Sequence, residues 1–253
     1  RFKNDKTDEF YKLVSKSLFR NKDKISIVEK LQPICRMVID FDFKYKEQLE
    51  TRQYNPNVVK KFIELFIHQI DNLYTLTDEQ KVCFVMEKEC TLDANKTNYK
   101  TKDGIHFLFP YIVAEKETYK VLRKSLITED LHSIFVNEGF TPPSNSVEEI
   151  VDEAIYSGNW FVYGSGKPNE INYKLSSIYK QLNGNIVSLS TELYLENPLE
   201  LIKLNSVCNQ DTITVDYQEE LQNRLKHKPV KKSISSDSPV SYTHLTLPTT
   251  PYV

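Results

Sequence analysis

The sequence predicts an α+β fold. Three observations carry that prediction. Apolar residues alternate with period two over residues 36–43, 81–87 and 104–113. They recur with helical period over residues 7–18 and from Asn55-Pro56-Asn57 to about residue 73. Strands and helices are mixed without a strict βα repeat.

The elements follow in order. Residues 7–18 read as a helix with Thr7 and Asp8 as caps and Phe10, Leu13, Val14 and Leu18 as its apolar stripe. Residues 25–28 are a short strand candidate and 36–43 a strong one. The helix that starts at Pro56 carries Val58, Phe62, Leu65, Phe66 and Ile70 on one side. In the strand 81–87, Val82, Phe84 and Met86 share a face. Residues 91–102 are polar and read as a loop, 104–113 as a strand, and 115–127 and 132–139 as helices. Residues 142–146 break the chain, and 147–156 read as helical. Residues 160–163 form a strand, followed by the turn Gly164-Ser-Gly-Lys167-Pro168, with 173–179 as its hairpin partner. Asn197 caps a helix over 198–204 that has Pro198 at its first position. Beyond residue 209 the pattern fades, with 218–226 as one last helix.

Composition narrows the function. The chain has 253 residues, enough for about one to two domains at roughly 150 residues each. Hydrophobic residues at 40% and charged residues at 27% are globular values, which excludes wholesale disorder. Lys and Arg number 33 against 35 Asp and Glu, so nucleic-acid contact must come from local clustering. Six glycines argue against a Gly-rich dinucleotide fold. No apolar run approaches the roughly 18 residues of a membrane span, and no signal peptide is visible. Cys35, Cys83, Cys90 and Cys208 are scattered, so neither structural zinc nor a disulfide framework is expected, and a reducing, intracellular setting is the default. Arg1 in place of Met points to a chain truncated upstream. Residues 240–253 carry no charge and resemble the translation of a sequencing adapter, so they are set aside. Residues 224–232 hold five Lys or Arg, either a solvated linker or a phosphate-contacting or targeting segment.

Three constellations carry chemistry. In Met37-Val-Ile-Asp40-Phe-Asp42-Phe43, strand alternation puts Met37, Ile39, Phe41 and Phe43 on one face, with Val38, Asp40 and Asp42 on the other. Two carboxylates about 6–7 Å apart repel, and a hard divalent cation, Mg²⁺ or Mn²⁺, resolves that repulsion. The plain alternative is a pair of solvent-facing acids. In Lys102-Asp-Gly104-Ile-His106-Phe-Leu-Phe-Pro110, His106 shares a face with Gly104. A histidine on a buried strand needs a polar partner, and a glycine beside it leaves room for a ligand. That reads as a nucleotide pocket or as a satisfied core histidine. In Val151-Asp152 through Asn159-Trp160-Phe-Val-Tyr163-Gly164-Ser165-Gly-Lys167-Pro168, the turn is not a P-loop. Phe161 replaces the first glycine and Pro168 the Mg²⁺-binding hydroxyl. It can still offer Lys167 as a cationic hook for phosphate, or be an ordinary turn.

Order and spacing together are more specific. Cys35-Arg36, then Asp40-x-Asp42-Phe43, then Gly104-x-His106, then Val151-Asp152, then Ser165-x-Lys167 resembles the archaeo-eukaryotic primase superfamily in its primase-polymerase branch. Trp160-Phe-Val-Tyr-Gly-Ser-Gly-Lys-Pro168 and Asp103-Gly-Ile-His-Phe-Leu-Phe-Pro110 are similar above all to the primase domain of poxvirus-type helicase-primases of nucleocytoplasmic large DNA viruses. The resemblance runs from about Ile25 to about Tyr179. Gly104 stands where relatives often carry Ser, and the Asn159 segment lacks arginines that some relatives have.

The resemblance implies an RRM-like sheet combined with a second α/β unit. It implies Asp40, Asp42 and Asp152 as metal ligands, two divalent ions, and NTP or dNTP substrates. Lys102, Gly104 and His106 would contact the nucleotide's phosphates, with Ser165 and Lys167 on the far side. The activity implied is template-directed synthesis or extension of primers on single-stranded DNA, at a viral replication site in host cytoplasm or nucleus. The implied layout is an N-terminal helical segment 1–24, a catalytic domain 25–205 and a linker 206–239 towards a downstream helicase. Two alternatives stay open: a non-catalytic single-strand-binding module that positions a helicase, and a metal-dependent nuclease. The first reading expects all three carboxylates to converge within a few ångströms, facing one cleft with His106 and Lys167 across it; the binding module expects a displaced Asp152 or a pocket plugged by side chains.

Overall fold

The structure is a computed structural model that describes residues 4–88, 91–92, 98–156, 158–167, 171–208 and 213–218. Residues 1–218 form one compact unit. Pro168, Cys90, the basic segment 224–232, the tail 240–253 and nearly all of the expected helix 218–226 lie outside the described residues.

The centre is an antiparallel sheet in the order β2 (Ile34–Tyr45), β6 (Thr101–Glu115), β4 (Val82–Glu87), β8 (Lys174–Leu182), β9 (Asn185–Leu189), with β5 (Thr91–Leu92) also on β6. The mixture of helices with antiparallel sheets is the α+β class expected. One face of the sheet is aromatic. Phe41 packs edge-on against Phe62 of helix α2 (Pro56–Asp71), Phe43 edge-on against Phe135 of helix α4 (Leu131–Asn137) and at a tilt against Phe62, and Phe66 stacks on Phe109. Such buried rings each contribute a few kcal/mol, and edge contacts add about 0.5–1.5. Helix α2 starts where expected because Asn55 accepts from the N–H groups of Asn57 and Val58, with Pro56 in the first turn. On the other face, Phe84 packs against Tyr194 of helix α6 (Glu192–Leu195). Strand β4 is therefore covered on both sides, and all but its last residue are buried.

Several boundaries differ from the sequence expectation for identifiable reasons. Helix α1 (Asn4–Ser15) begins before Thr7 and Asp8, so neither caps it; Asp8 pairs instead with Lys203 at 2.6 Å. Its stripe continues into a wider π-helical turn, Lys16–Asn21, closed by Lys22 at φ 60°. The expected loop 91–102 contributes β5, which pairs with Thr101 and Lys102. The helix expected over 147–156 stops at α5 (Val147–Ile150), because Val151 bridges Phe41 and the Asp152 N–H donates to the Asp40 carbonyl at 3.0 Å. Strand β7 (Asn159–Phe161) pairs with β1 (Val28–Lys30), not with residues 173–179. The latter join β8, which finds in β4 a longer apolar edge than the three residues of β7 offer.

Strand β2 is an edge strand, and its outer backbone groups are satisfied almost residue by residue. The Tyr119 hydroxyl serves Val38 N–H and the Arg36 carbonyl, and Asp152 serves Asp40. Buried Asn145 donates to the Asp42 carbonyl and accepts from Lys44 N–H, both at 3.0 Å, and Ser144 N–H donates to the Lys44 carbonyl.

The β2–β6 pairing breaks once. Arg36 faces Val113, but Met37 faces Phe109, so residues 110–112 are passed over. Pro110 cannot donate to a ladder and sits in this bulge. Arg36 spans the gap. Its buried guanidinium donates to the carbonyls of Pro110, Lys203 and Ser206 at 2.9, 2.5 and 2.6 Å, tying the bulge to the end of helix α7 (Pro198–Asn205). Glu29 completes the network by accepting from Ser206 Oγ and Val207 N–H. Arg36→Met is expected to cost about 2–4 kcal/mol, since it strands buried carbonyls and the Glu29 carboxylate. The urea midpoint reads this directly, and an unshifted midpoint would rule out the clamp.

Candidate active site

The register of β2 on β6 builds the site. Asp40 lies opposite His106, Asp42 opposite Gly104 and Lys44 opposite Lys102. Side chains directly opposite one another share a face, so the acid strand and the histidine strand meet on the face away from the aromatic layer. His106 Nε2 lies 3.3 Å from Asp40 Oδ1, and Lys102 Nζ lies 3.0 Å from Asp42 Oδ2. Asp152 arrives from the chain crossing along the free edge of β2. The pair β1–β7 and the following turn supply the opposite wall. Together they enclose a cavity of about 280 Å³ lined by Asp40, Asp42, Lys102, His106 and Asp152 with Trp160, Ser165 and Lys167 across from them.

The electrostatics of the two strand acids diverge. Burial pushes the Asp40 carboxyl up, but the His106 imidazole and the Lys102 and Lys88 charges pull it down further, and it ends below the ordinary carboxylate value. For Asp42, burial and the neighbouring Asp40 charge win over Lys102, and its carboxyl is held above the ordinary value. Lys102 is opposed by burial but held in its charged form by Asp42, Asp40 and Asp152, so its ammonium is pushed up. Asp40 Oδ1 is buried, and the His106 contact does not have hydrogen-bond geometry, so that oxygen has no donor. Ser165 Oγ, 4% exposed on the opposite wall, is likewise without a hydrogen-bond partner. An unsatisfied carboxylate oxygen next to a second, destabilised carboxylate is a donor set suited to a hard cation. An unsatisfied hydroxyl and a lysine opposite suit an anion.

The three carboxylates share the cavity but do not converge as the primase reading expects, and His106 stands on the acid face beside Asp40 rather than across from it, because the register makes the two cross-strand neighbours. Asp40 faces His106, Asp42 faces Lys102, and Asp152 Oδ1 accepts from Ala154 N–H at 2.9 Å. Among the described residues no three His, Cys, Asp or Glu side chains stand close enough together to hold a metal ion.

Gly104 does not leave the opening that its sequence position predicts. A Cβ there would meet Tyr173 Oη at 2.8 Å and the Phe41 carbonyl at 2.9 Å, so the tyrosine already fills that room. Tyr173 also stacks on His106, with ring centroids 3.5 Å apart, and Trp160 lies 4.7 Å away at a tilt. Burial and the Asp40 and Asp42 charges hold the Tyr173 phenol well above its usual range. Sequence reasoning missed Tyr173 as a site residue. It lies more than sixty positions from His106, and no local pattern marks it. Behind this layer, Arg52 grips Asp103 with two bonds of 2.9 and 3.0 Å and Glu87 at 2.6 Å, and Asp103 accepts from Gly104 N–H at 2.8 Å. That network fixes the start of β6 beside the site.

Among the described residues no helix is long and apolar enough to cross a membrane. The family described as the "C962R protein N-terminal AEP domain" is matched over residues 1–179. The chain is 25% identical over 220 residues to "Putative helicase L207/L206" of Acanthamoeba polyphaga mimivirus, covering 82% of this chain and 22% of that protein. It is 26% identical over 184 residues to "Putative helicase 121R" of Invertebrate iridescent virus 3, covering 68% of this chain and 19% of that protein. The chain thus spans about a fifth of the length of these relatives. The family match takes in the acid strand, the histidine strand and the Ser165-x-Lys167 turn as well as most of the chain, and it makes this chain a member of the C962R N-terminal family of archaeo-eukaryotic primase domains.

Proposed function

We propose that this domain is a primase or primase-polymerase that joins nucleotides on a single-stranded DNA template. The observation that supports this most is the β2–β6 register, which sets two carboxylates, a histidine and a lysine against a wall bearing Ser165 and Lys167. Asp40 and Asp42, with Asp152 once it leaves the Ala154 N–H, are the residues that would hold divalent cations, Mg²⁺ or Mn²⁺. Such ions supply Lewis acidity that activates a 3′-hydroxyl and offsets the charge of departing pyrophosphate. Lys167 and Ser165 hold the triphosphate of an incoming NTP or dNTP from one side, and His106 and Lys102 from the other. Gly104 acts by admitting the Tyr173 hydroxyl. In this reading residues 25–205 are the catalytic domain. Residues 206–239 lead towards a helicase in the same polypeptide, as the names of the viral relatives accord with, and the setting is viral DNA replication.

A second reading has one observation in its favour. Asp42 and Asp152 are each held by a protein partner, and Asp40 lies against His106, rather than the three being gathered together. That suits a module that binds single strands and positions a helicase without chemistry.

Nucleotide incorporation separates the two. With Mg²⁺ or Mn²⁺, the chain is expected to make template-dependent product on an unprimed strand, and Asp42→Ala to reduce it at least about 10²–10³-fold, as loss of one key electrostatic group does. Extension of primed strands alone would make it a polymerase. No product with strand binding intact would favour the helicase-positioning module. A second test reads the ions without activity. In chelator, Asp42→Asn removes the repulsion with Asp40 and is expected to raise the melting temperature by about 2–4 °C. Added Mn²⁺ should stabilise the wild type and leave the variant unmoved. Equal responses would sink the metal assignment. Third, Gly104→Ala is expected to destabilise by about 1–3 kcal/mol. Adding Tyr173→Phe should recover part of the loss, because the phenol oxygen is one of the two obstructing atoms. A Gly104→Ala variant of wild-type stability would refute the close fit.

A further inference from the structure

A second concave surface lies outside the site. The exposed side of helix α1 and the π-helical turn after it carries Lys12, Lys16 and Arg20, four residues apart each time. With Ser15, Phe19, Pro198 and Leu199 they line an open groove of about 590 Å³. No acidic residue lines it. Asp8, one helical turn before Lys12, is engaged by Lys203 at 2.6 Å. Three cations and no acid among the described residues that line the groove give it a local positive charge, although Lys12 also feels the Asp8 carboxylate. Four α-helical residues advance about 6 Å, and the wider π-helical turn that carries Lys16 and Arg20 advances somewhat less, so the three cations form an extended row that suits successive phosphates of a strand better than one compact anion.

The groove ends at the site's own wall. Phe19, 37% exposed, stacks almost parallel on Tyr163, with centroids 6.2 Å apart and planes at 5°. Leu18 packs against Gly164, where a Cβ would come within 3.0 Å of Leu18 Cδ1 and φ is +75°. The turn that begins there carries Ser165 and Lys167 into the cavity. A basic row that ends in an exposed aromatic ring is the combination that holds single-stranded nucleic acid without reading its sequence.

We propose that this groove binds the backbone of single-stranded nucleic acid. Lys12, Lys16 and Arg20 contact successive phosphates, and Phe19 stacks a base at the end nearest the active site. The inference rests on the nucleotidyl-transfer reading above for its choice of strand, and it deepens that reading by giving the strand a path to the cavity.

The test is fluorescence anisotropy of labelled oligo-dT with the full chain across a salt series. The triple variant Lys12→Ala, Lys16→Ala, Arg20→Ala is expected to weaken binding about tenfold or more near 0.1 M salt. It should also reduce the slope of log K against log salt by about 2, at roughly 0.7 per lost single-strand contact. A charge-keeping variant, Lys12→Arg with Lys16→Arg and Arg20→Lys, should bind as wild type, which separates charge from folding. Phe19→Ala should weaken binding with no change in slope. Unchanged affinity and slope in the triple variant would overturn the proposal. So would competition by poly-glutamate as effective as by oligo-dT at equal charge, because the groove would then be a general polyanion surface. Asp42→Ala, run alongside, keeps the two readings apart. Templated synthesis by the wild type with unaltered binding in the triple variant removes the groove alone. Binding lost in the triple variant, with no synthesis by any form, removes nucleotidyl transfer alone.

Discussion

Two carboxylates two residues apart on one strand cannot both leave water unless positive charge stands beside them. Much of this fold answers that constraint. Strand β6 runs antiparallel to the acid strand in the one register that puts His106 against Asp40 and brings Lys102 to Asp42. The compensation is unequal. Asp40 is drawn below its ordinary pKa, whereas Asp42 is held above it. The site therefore keeps an Asp40 oxygen and the Ser165 hydroxyl without hydrogen-bond partners inside the fold. Polarity of this kind is costly to a core, and it is what a site for charged reactants requires.

The same strand imposes a second condition. As an edge, β2 would expose its outer backbone groups, and the chain covers them with Tyr119, Asn145, Ser144 and Val151-Asp152. Covering the edge also delivers the third carboxylate. Asp152 reaches the cavity because its N–H completes the hydrogen bonding of the residue it is meant to neighbour. Edge protection and assembly of the site are thus one piece of backbone geometry.

What could be read in advance follows from range. The acid strand, the histidine strand, helix α2 and the turn after β7 are marked by local alternation, a cap or a glycine, and each was legible. Asp40, Asp42, Lys102, His106, Asp152, Ser165 and Lys167 were nameable, and all seven line one cavity. What escaped depends on pairings between distant segments. No property of residues 173–179 shows that they prefer β4 over β7, and so nothing local shows that Tyr173 will lie across His106 and occupy the space over Gly104. The helix expected to run through Asp152 ends early because a strand a hundred residues away needs its backbone. Thr7 and Asp8 looked like caps because capping chemistry is local, while the partner that claims Asp8, Lys203, is not.

The break in pairing between Arg36 and Met37 has a consequence for how such a domain can change over time. Residues 110–112 are passed over there, so the alignment of the strands on the site side is set apart from their alignment beyond it. The Arg36 clamp holds that far side through carbonyl groups, which every residue type possesses. A change in the length of the far segments would meet that irregularity before it reached the pairs Asp40–His106 and Asp42–Gly104. A lineage could rebuild that end of the sheet, and whatever it docks against, without re-aiming a single group of the site.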